Sequence, residues 1–218
     1  MSINLNTDII TVDKLFSDAE CDLLINFHKQ TGFHDQYINP FGLFGDKVMA
    51  DRWNIKYKDD TNEPALMHLL DRIKNYLPSE VNFTNITTYY EMYLPYDIHT
   101  DYVRRYAEAG DPHHVLLIQL NDCDSRSIIF EENATYNDFH IYKEQNDHSS
   151  NPTPIDVWNK HLSHCWEHDR EYTTLKEVGP TWKAGNLVSF NRSLFHSSDN
   201  FPANNVKVKK FIQLWTDV

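Results

Sequence analysis

Tyr90-Glu91-Met92-Tyr93-Leu94-Pro95-Tyr96-Asp97-Ile98-His99-Thr100-Asp101 is the stretch from which the rest of the chain is read. It starts as a β-prone run and ends in His-Thr-Asp. On an extended strand residues i and i+2 point to the same face, so His99 and Asp101 can converge on one point. A third ligand is then required. His196 supplies it, after the turn Lys183-Ala184-Gly185-Asn186 and the apolar run Leu187-Val188-Ser189-Phe190. Each motif alone is weak, because a lone histidine after an apolar strand is more often structural. Together they offer two neutral imidazoles and one carboxylate, a set that suits a divalent first-row metal with open positions.

The last apolar run, Val206-Lys207-Val208-Lys209-Lys210-Phe211-Ile212-Gln213-Leu214-Trp215, alternates. Lys209, Phe211, Gln213 and Trp215 share one face, and Lys210, Ile212 and Leu214 the other. A lysine among aromatics on an inner face would be buried near the metal, where it could pair with a carboxylate. The competing reading is a set of solvated lysines that protect an edge strand. The position of Lys209 shortly after His196 favours the buried reading.

Working outward, residues 8–12 read as a short strand. Ser17-Asp18-Ala19-Glu20 has the form of a capping box, so a helix is expected over about 18–30, ending near Gly32. Residues 33–50, with Pro40, Gly42 and Gly45 among aromatics, read as a structured loop, and Trp53–Tyr57 as a strand. Leu66, Leu69, Leu70, Ile73 and Leu77 form one face of a second helix, closed by Pro78. Strands follow at 83–93, 115–120 and 127–130, and again at 186–190 and 206–215. The intervening 131–180 segment is polar and weakly periodic. It reads as an insertion with one short helix around 155–168. Two helices followed by short antiparallel strands imply a mainly β protein with flanking helices (α+β), a sandwich or jelly roll with helices on one sheet.

A chain of 218 residues suits a single domain, 1–218, carrying that insertion. Its net charge of −12 disfavours nucleic acid, which needs basic patches. Three cysteines with no paired spacing, and no charged-then-apolar leader, imply a reducing, cytoplasmic setting. No apolar run reaches membrane-spanning length.

His99-Thr100-Asp101, then His196, then Lys209 resembles the iron- and 2-oxoglutarate-dependent dioxygenases, in particular the prolyl 4-hydroxylase-like branch. Residues 12–25 resemble that branch's opening strand and helix. Tyr93-Leu94-Pro95 resembles its tyrosine-proline turn, and Leu116-Leu117-Ile118-Gln119-Leu120-Asn121 its strand ending in Leu-Asn. The likeness implies a double-stranded β-helix, a jelly-roll or cupin-like barrel, with Fe(II) held by His99, Asp101 and His196. It implies that Lys209 binds the far carboxylate of the cosubstrate 2-oxoglutarate and that Tyr93 or Tyr89 lines its pocket. It also implies dioxygen as a reactant, ascorbate as an accessory reductant, and hydroxylation of a peptide or small molecule coupled to succinate formation. The carboxylate of Asp101 favours hydroxylation, since related halogenases leave that position open.

The sequence departs from the family in three places. Ile118 stands where the family carries a cosubstrate-binding tyrosine, and Gln213 is a candidate replacement. Cys123–Ile129 replaces a Gly-Gly-Glu-Leu passage, and the insertion has no counterpart. Inside it His161, His164, Cys165 and His168 fall at helical spacing, a rival zinc-type set. A bland amphipathic face is the better account, because one short helix spreads four ligands too far. Arg104-Arg105 and His113-His114 could meet an anionic substrate at the pocket mouth, although ordinary loop residues are the better account, and residues 37–44 could form a lid. The alternatives from other classes are a non-catalytic cupin-like metal-binding module and a 2-oxoglutarate-independent metal dioxygenase. Neither explains a buried Lys209.

Overall fold

The computed structural model describes residues 9–40, 42–57, 63–77, 82–101, 114–133 and 148–217. Pro78, Arg104, Arg105, His113 and Phe41 lie outside them. The chain opens with β1 (Ile10–Val12) and α1 (Asp18–Thr31). The Ser17 side chain accepts from the Glu20 N–H and the Glu20 carboxylate accepts from the Ser17 N–H, so the capping box starts α1 as expected. Next come β2 (Phe33–Ile38), β3 (Val48–Lys56), α2 (Pro64–Lys74) and β4 (Asn82–Met92). Pro64 occupies the first turn of α2, where its missing N–H costs nothing. The remaining elements among the described residues are β5 (His114–Gln119), β6 (Ser127–Asn133), α3 (Ile155–His161), a 3-10 turn (Glu167–Tyr172), β7 (Leu175–Val178), β8 (Leu187–Asn191), β9 (Leu194–Ser198), a second 3-10 turn (Phe201–Asn204) and β10 (Lys209–Asp217).

Seven strands form one antiparallel sheet in the order β1-β8-β5-β10-β4-β3-β2, and three form a second in the order β7-β6-β9. The fold is mainly β with helices on one face, a jelly-roll barrel. Strand parity divides its interior. Tyr89, Leu116, Ile118, Leu187, Ile212 and Leu214 face α1 and α2, where they pack on Leu24, Leu66, Leu69 and Ile73. Val115, Val188 and Phe190 point the other way and meet Ile129 and Leu194 of the small sheet. The alternation expected for β10 is observed. Phe211 packs with Tyr90, Met92 and Trp182 inside the barrel, while Ile212 and Leu214 lie on the helix side. Among the described residues no helix is long and apolar enough to cross a membrane.

Two expectations are corrected. Residues 33–50 are not mainly loop, because they contribute β2 and the start of β3, paired from Phe33↔Asn54 to Ile38↔Val48. Both faces of β2 carry polar groups at the sheet edge, so it lacks the apolar alternation that marks a half-buried strand. The 131–180 segment is also not wholly an insertion between strands. It ends in β7, which pairs with β6, and its helix stops at His161 before the separate 3-10 turn.

Candidate active site

His99 and His196 meet through their backbones. The His99 N–H donates to the His196 carbonyl at 3.0 Å, and the His196 N–H returns a bond to His99 at 2.8 Å. This two-bond bridge sets the imidazoles side by side, with ring centroids 4.4 Å apart. The Asp101 N–H then donates to the Arg192 carbonyl at 3.1 Å, which holds the third residue beside the same hairpin. The ligand atoms of His99, Asp101 and His196 all lie within 4.8 Å of one another.

Each imidazole is oriented by a carbonyl. His99 Nδ1 is 2.6 Å from the Asp97 carbonyl oxygen and His196 Nδ1 is 3.0 Å from that of Leu194. A carbonyl only accepts, so Nδ1 carries a proton in both rings and Nε2 is the nitrogen left to face a metal. Burial, aided by His99, pushes the His196 pKa down to about 4, so this imidazole is neutral at ordinary pH. The Asp101 carboxylate accepts from Gln213 Nε2 at 3.0 Å and stands 3.6 Å from His196 Nε2. Two oriented imidazoles and one anchored carboxylate fit a divalent ion of the iron type.

The triad opens into a cavity of about 620 Å³, which Lys209 also lines. Lys209 is 2% exposed. Its ammonium donates to Ser198 Oγ at 3.3 Å and sits 3.7 Å above the Trp182 ring. Burial lowers its pKa to about 8, opposed first by the charge of Asp199, so it is mostly protonated at neutral pH. Lys210 points away, toward Glu91. Trp215 also lines the cavity.

Tyr89 and Tyr93, expected in the cosubstrate pocket, are elsewhere. Tyr89 lies in the helix-side core and donates to Glu91 at 2.8 Å. The Tyr93 hydroxyl donates to Asp51 at 2.6 Å, and neither residue lines the cavity. The tyrosines that do are Tyr37, Tyr90 and Tyr96. Register explains the difference. Lys209 pairs with Met92 and Phe211 with Tyr90, and antiparallel partners share a face. Once Lys209 is inside, Tyr90 is inside and Tyr89 is not. Gln213 does reach the cavity, but its amide is engaged by the Asp101 carboxylate.

Arg52 of β3 forms a further part of the wall, missed in the sequence because its strand had been assigned only from Trp53. Its guanidinium sits 5.0 Å from the Tyr37 ring, and Tyr37 and Tyr96 centroids are 5.1 Å apart. Tyr96 in turn packs 5.1 Å from His99, so one row of contacts joins Arg52 to a triad member. Asp35 holds Arg52 from behind through Nε and Nη2.

The rival histidine set does not converge. His161 Nδ1 stands beside Asp199, His164 Nε2 beside the Tyr96 carbonyl, and His168 is exposed next to Asp169. Among the described residues the three-ligand group is His99, Asp101 and His196. His114 is buried against Ser189, not at the cavity mouth. Of the proposed lid, Tyr37 belongs to β2 and lines the cavity with Asn39.

No family model and no curated protein matches the sequence. Solved structures do match by shape. The epimerase SnoN, in complex with Fe3+, alpha ketoglutarate and nogalamycin RO, superposes with a TM-score of 0.57 at 11% identity, covering 96% of this chain and 78% of its own. The non-heme alpha ketoglutarate dependent carbocyclase SnoK from nogalamycin biosynthesis gives 0.56 at 14% identity, over 96% and 79%. HygX from Streptomyces hygroscopicus with iron bound gives 0.51 at 8% identity, over 96% and 81%. The chain therefore shares its jelly-roll fold with non-heme alpha ketoglutarate dependent enzymes.

Proposed function

We propose that this protein is a single-domain, cytoplasmic Fe(II)- and 2-oxoglutarate-dependent dioxygenase that hydroxylates a small molecule. The observation that carries the reading is a buried ammonium, Lys209, in the same cavity as an oriented two-histidine, one-carboxylate triad. A metal-binding module has no use for such a lysine, and neither does a dioxygenase that works without 2-oxoglutarate.

In this reading His99, Asp101 and His196 would hold the iron, and Gln213 fixes the carboxylate. Lys209 would pair with the far carboxylate of 2-oxoglutarate, and Ser198 steadies the ammonium. Bound iron and 2-oxoglutarate would supply oxidising power from dioxygen, with decarboxylation to succinate. Phe211 and Tyr90, stacked with centroids 4.8 Å apart, form an apolar floor of the cavity that Lys209 also lines. They exclude water from the reacting region. The triad carboxylate supports hydroxylation as the outcome.

Arg52, Tyr37 and Tyr96 then make the substrate wall. An arginine already paired to Asp35 and pressed on tyrosines suits a polar small molecule such as an amino acid or related metabolite. A peptidyl proline offers no charged or hydrogen-bonding side chain for that wall. The test is succinate release from 2-oxoglutarate with Fe(II), dioxygen and ascorbate, comparing the wild type with His99→Ala. Turnover is expected in the wild type and lost in the variant. Absence of any metal-dependent 2-oxoglutarate binding to the wild type overturns the proposal.

A further inference from the structure

Directly after Ser198, whose hydroxyl takes the hydrogen bond of the Lys209 ammonium at 3.3 Å, comes a buried acid that the triad does not use. Asp199 follows β9, the strand of His196 and Ser198, and is 1% exposed. Its N–H donates to the Arg126 carbonyl at 3.0 Å. Its Oδ1 accepts from Ser125 Oγ at 2.7 Å. Its Oδ2 has no hydrogen-bond partner, and His161 Nδ1, also without one, stands 3.9 Å away. Asp199 neither lines the cavity nor belongs to the triad. A buried, half-satisfied carboxylate is costly and needs a reason.

We infer that Asp199 is a positioning residue, the counter-charge that keeps the Lys209 ammonium protonated and in place to receive a carboxylate. This rests on the reading of Lys209 as the cosubstrate anchor. The only hydrogen bond of Lys209 among the described residues is to a neutral hydroxyl, and Trp182 adds only a ring face. An ammonium with no anion nearby at that depth would shed its proton. Asp199, one residue beyond the Ser198 hydroxyl that holds the ammonium and buried with it, is the carboxylate whose charge opposes that loss. The other titratable groups acting with Lys209 are the Cys123 thiol, whose own pKa burial raises to about 11, and the His196 imidazole, which burial keeps neutral. Ser125 and the Arg126 carbonyl fix Asp199 from one side. His161 closes the other as a neutral ring, its pKa lowered first by burial, with Asp199 and Asp124 opposed by Lys160 and Arg126 around it.

The experiment follows binding, with manganese(II) in place of iron to prevent turnover. The 2-oxoglutarate Kd is measured by tryptophan fluorescence from pH 6 to 9.5. Affinity in the wild type is expected to fall about tenfold per pH unit once the lysine deprotonates. In Asp199→Asn that fall should begin about one unit lower, and adding Lys209→Arg, which stays charged, should abolish it. Coincident profiles for wild type and Asp199→Asn, or a fall that survives Lys209→Arg, overturn the inference.

NMR titration of the lysine side chains, with Lys209 assigned by substitution, tests Asp199 without any cosubstrate. The Lys209 pKa should be near 8 in the wild type and lower in Asp199→Asn. If the wild-type lysine is already neutral at pH 6, no counter-charge acts on it and the inference fails, even where the variant does not fold. A normal NMR result with no cosubstrate binding would instead sink the functional reading alone.

Discussion

Gln213 Nε2 donates a hydrogen bond of 3.0 Å to Asp101 Oδ2, tying the last strand of the large sheet to the carboxylate of the triad. From its strand face alone Gln213 reads as a cosubstrate contact. The geometry gives it a different partner. Outer partners of this kind orient a ligating carboxylate, and their loss costs about 10- to 100-fold in metal affinity. Gln213→Leu should therefore weaken manganese(II) binding by that factor while leaving the fold intact. Calorimetry on the metal alone checks it. Unchanged metal affinity with weakened 2-oxoglutarate binding would return Gln213 to the cosubstrate.

The two adjacent lysines of β10 give a sharper contrast. Lys209 is buried over Trp182, whereas Lys210 reaches out toward Glu91. Lys209→Ala should raise the 2-oxoglutarate Kd by roughly 100-fold or more, because a buried carboxylate left unpaired loses on the order of 3 kcal/mol. Lys210→Ala should change it less than about twofold, as exposed pairs contribute little. Equal effects would mean that the opposite face of the strand binds the cosubstrate.

The tyrosines allow the corrected register to be tested. Tyr90 stacks on Phe211 inside the barrel, while the Tyr93 hydroxyl is spent on Asp51. Tyr90→Ala should raise the KM for 2-oxoglutarate several-fold by opening the floor of the cavity to water. Tyr93→Phe should leave that KM unchanged and lower stability by about 1 kcal/mol, the value of one hydrogen bond. Steady-state kinetics and chemical denaturation separate the two.

What the sequence disclosed follows from which physical signals are local. His99, Asp101 and His196 were legible because two-residue spacing and an apolar lead-in strand survive in one dimension, and the alternation of β10 put Lys209 on the correct face. The choice among Tyr89, Tyr90 and Tyr93 was not legible, because it depends on which β10 residue each one faces. That register belongs to the sheet, not to the strand. β2 escaped notice for a related reason. His34 and Gln36 bond to Asp51 and Asp35 bonds to Arg52, so both of its faces are polar. Asp199 was invisible because Ser125, Arg126 and His161 reach it from far away in sequence.

Arg52 can be tested without knowing the substrate. It lines the cavity from β3 and touches none of the triad residues or Lys209 through a hydrogen bond among the described contacts. Arg52→Met keeps most of the stem that packs on Tyr37 and removes the charge. The 2-oxoglutarate Kd should stay within about twofold, while uncoupled turnover of 2-oxoglutarate continues. Stimulation of that turnover by polar metabolites, screened as a mixture, should be lost. A matching loss of 2-oxoglutarate binding would assign Arg52 to the cosubstrate instead.

Gly185 supplies a test of the scaffold that carries His196. It lies in the turn before β8, with φ at +84°, a conformation that glycine adopts freely and L-residues rarely do. Its N–H donates to the Gln119 carbonyl at 2.7 Å, and its carbonyl accepts from the Phe16 N–H at 3.0 Å. A Cβ here would fall 1.9 Å from the Phe16 carbonyl oxygen, which is backbone and cannot swing aside. Strain from the left-handed φ costs on the order of 1–3 kcal/mol before the clash is counted. Gly185→Ala should therefore lose at least about 3 kcal/mol by denaturant titration. The link between the opening segment and β8 should loosen first, seen as faster amide exchange at Phe16 and Gly185-flanking sites. A loss below about 1 kcal/mol would mean that the turn can flip to a negative φ without disturbing the strands that position the triad.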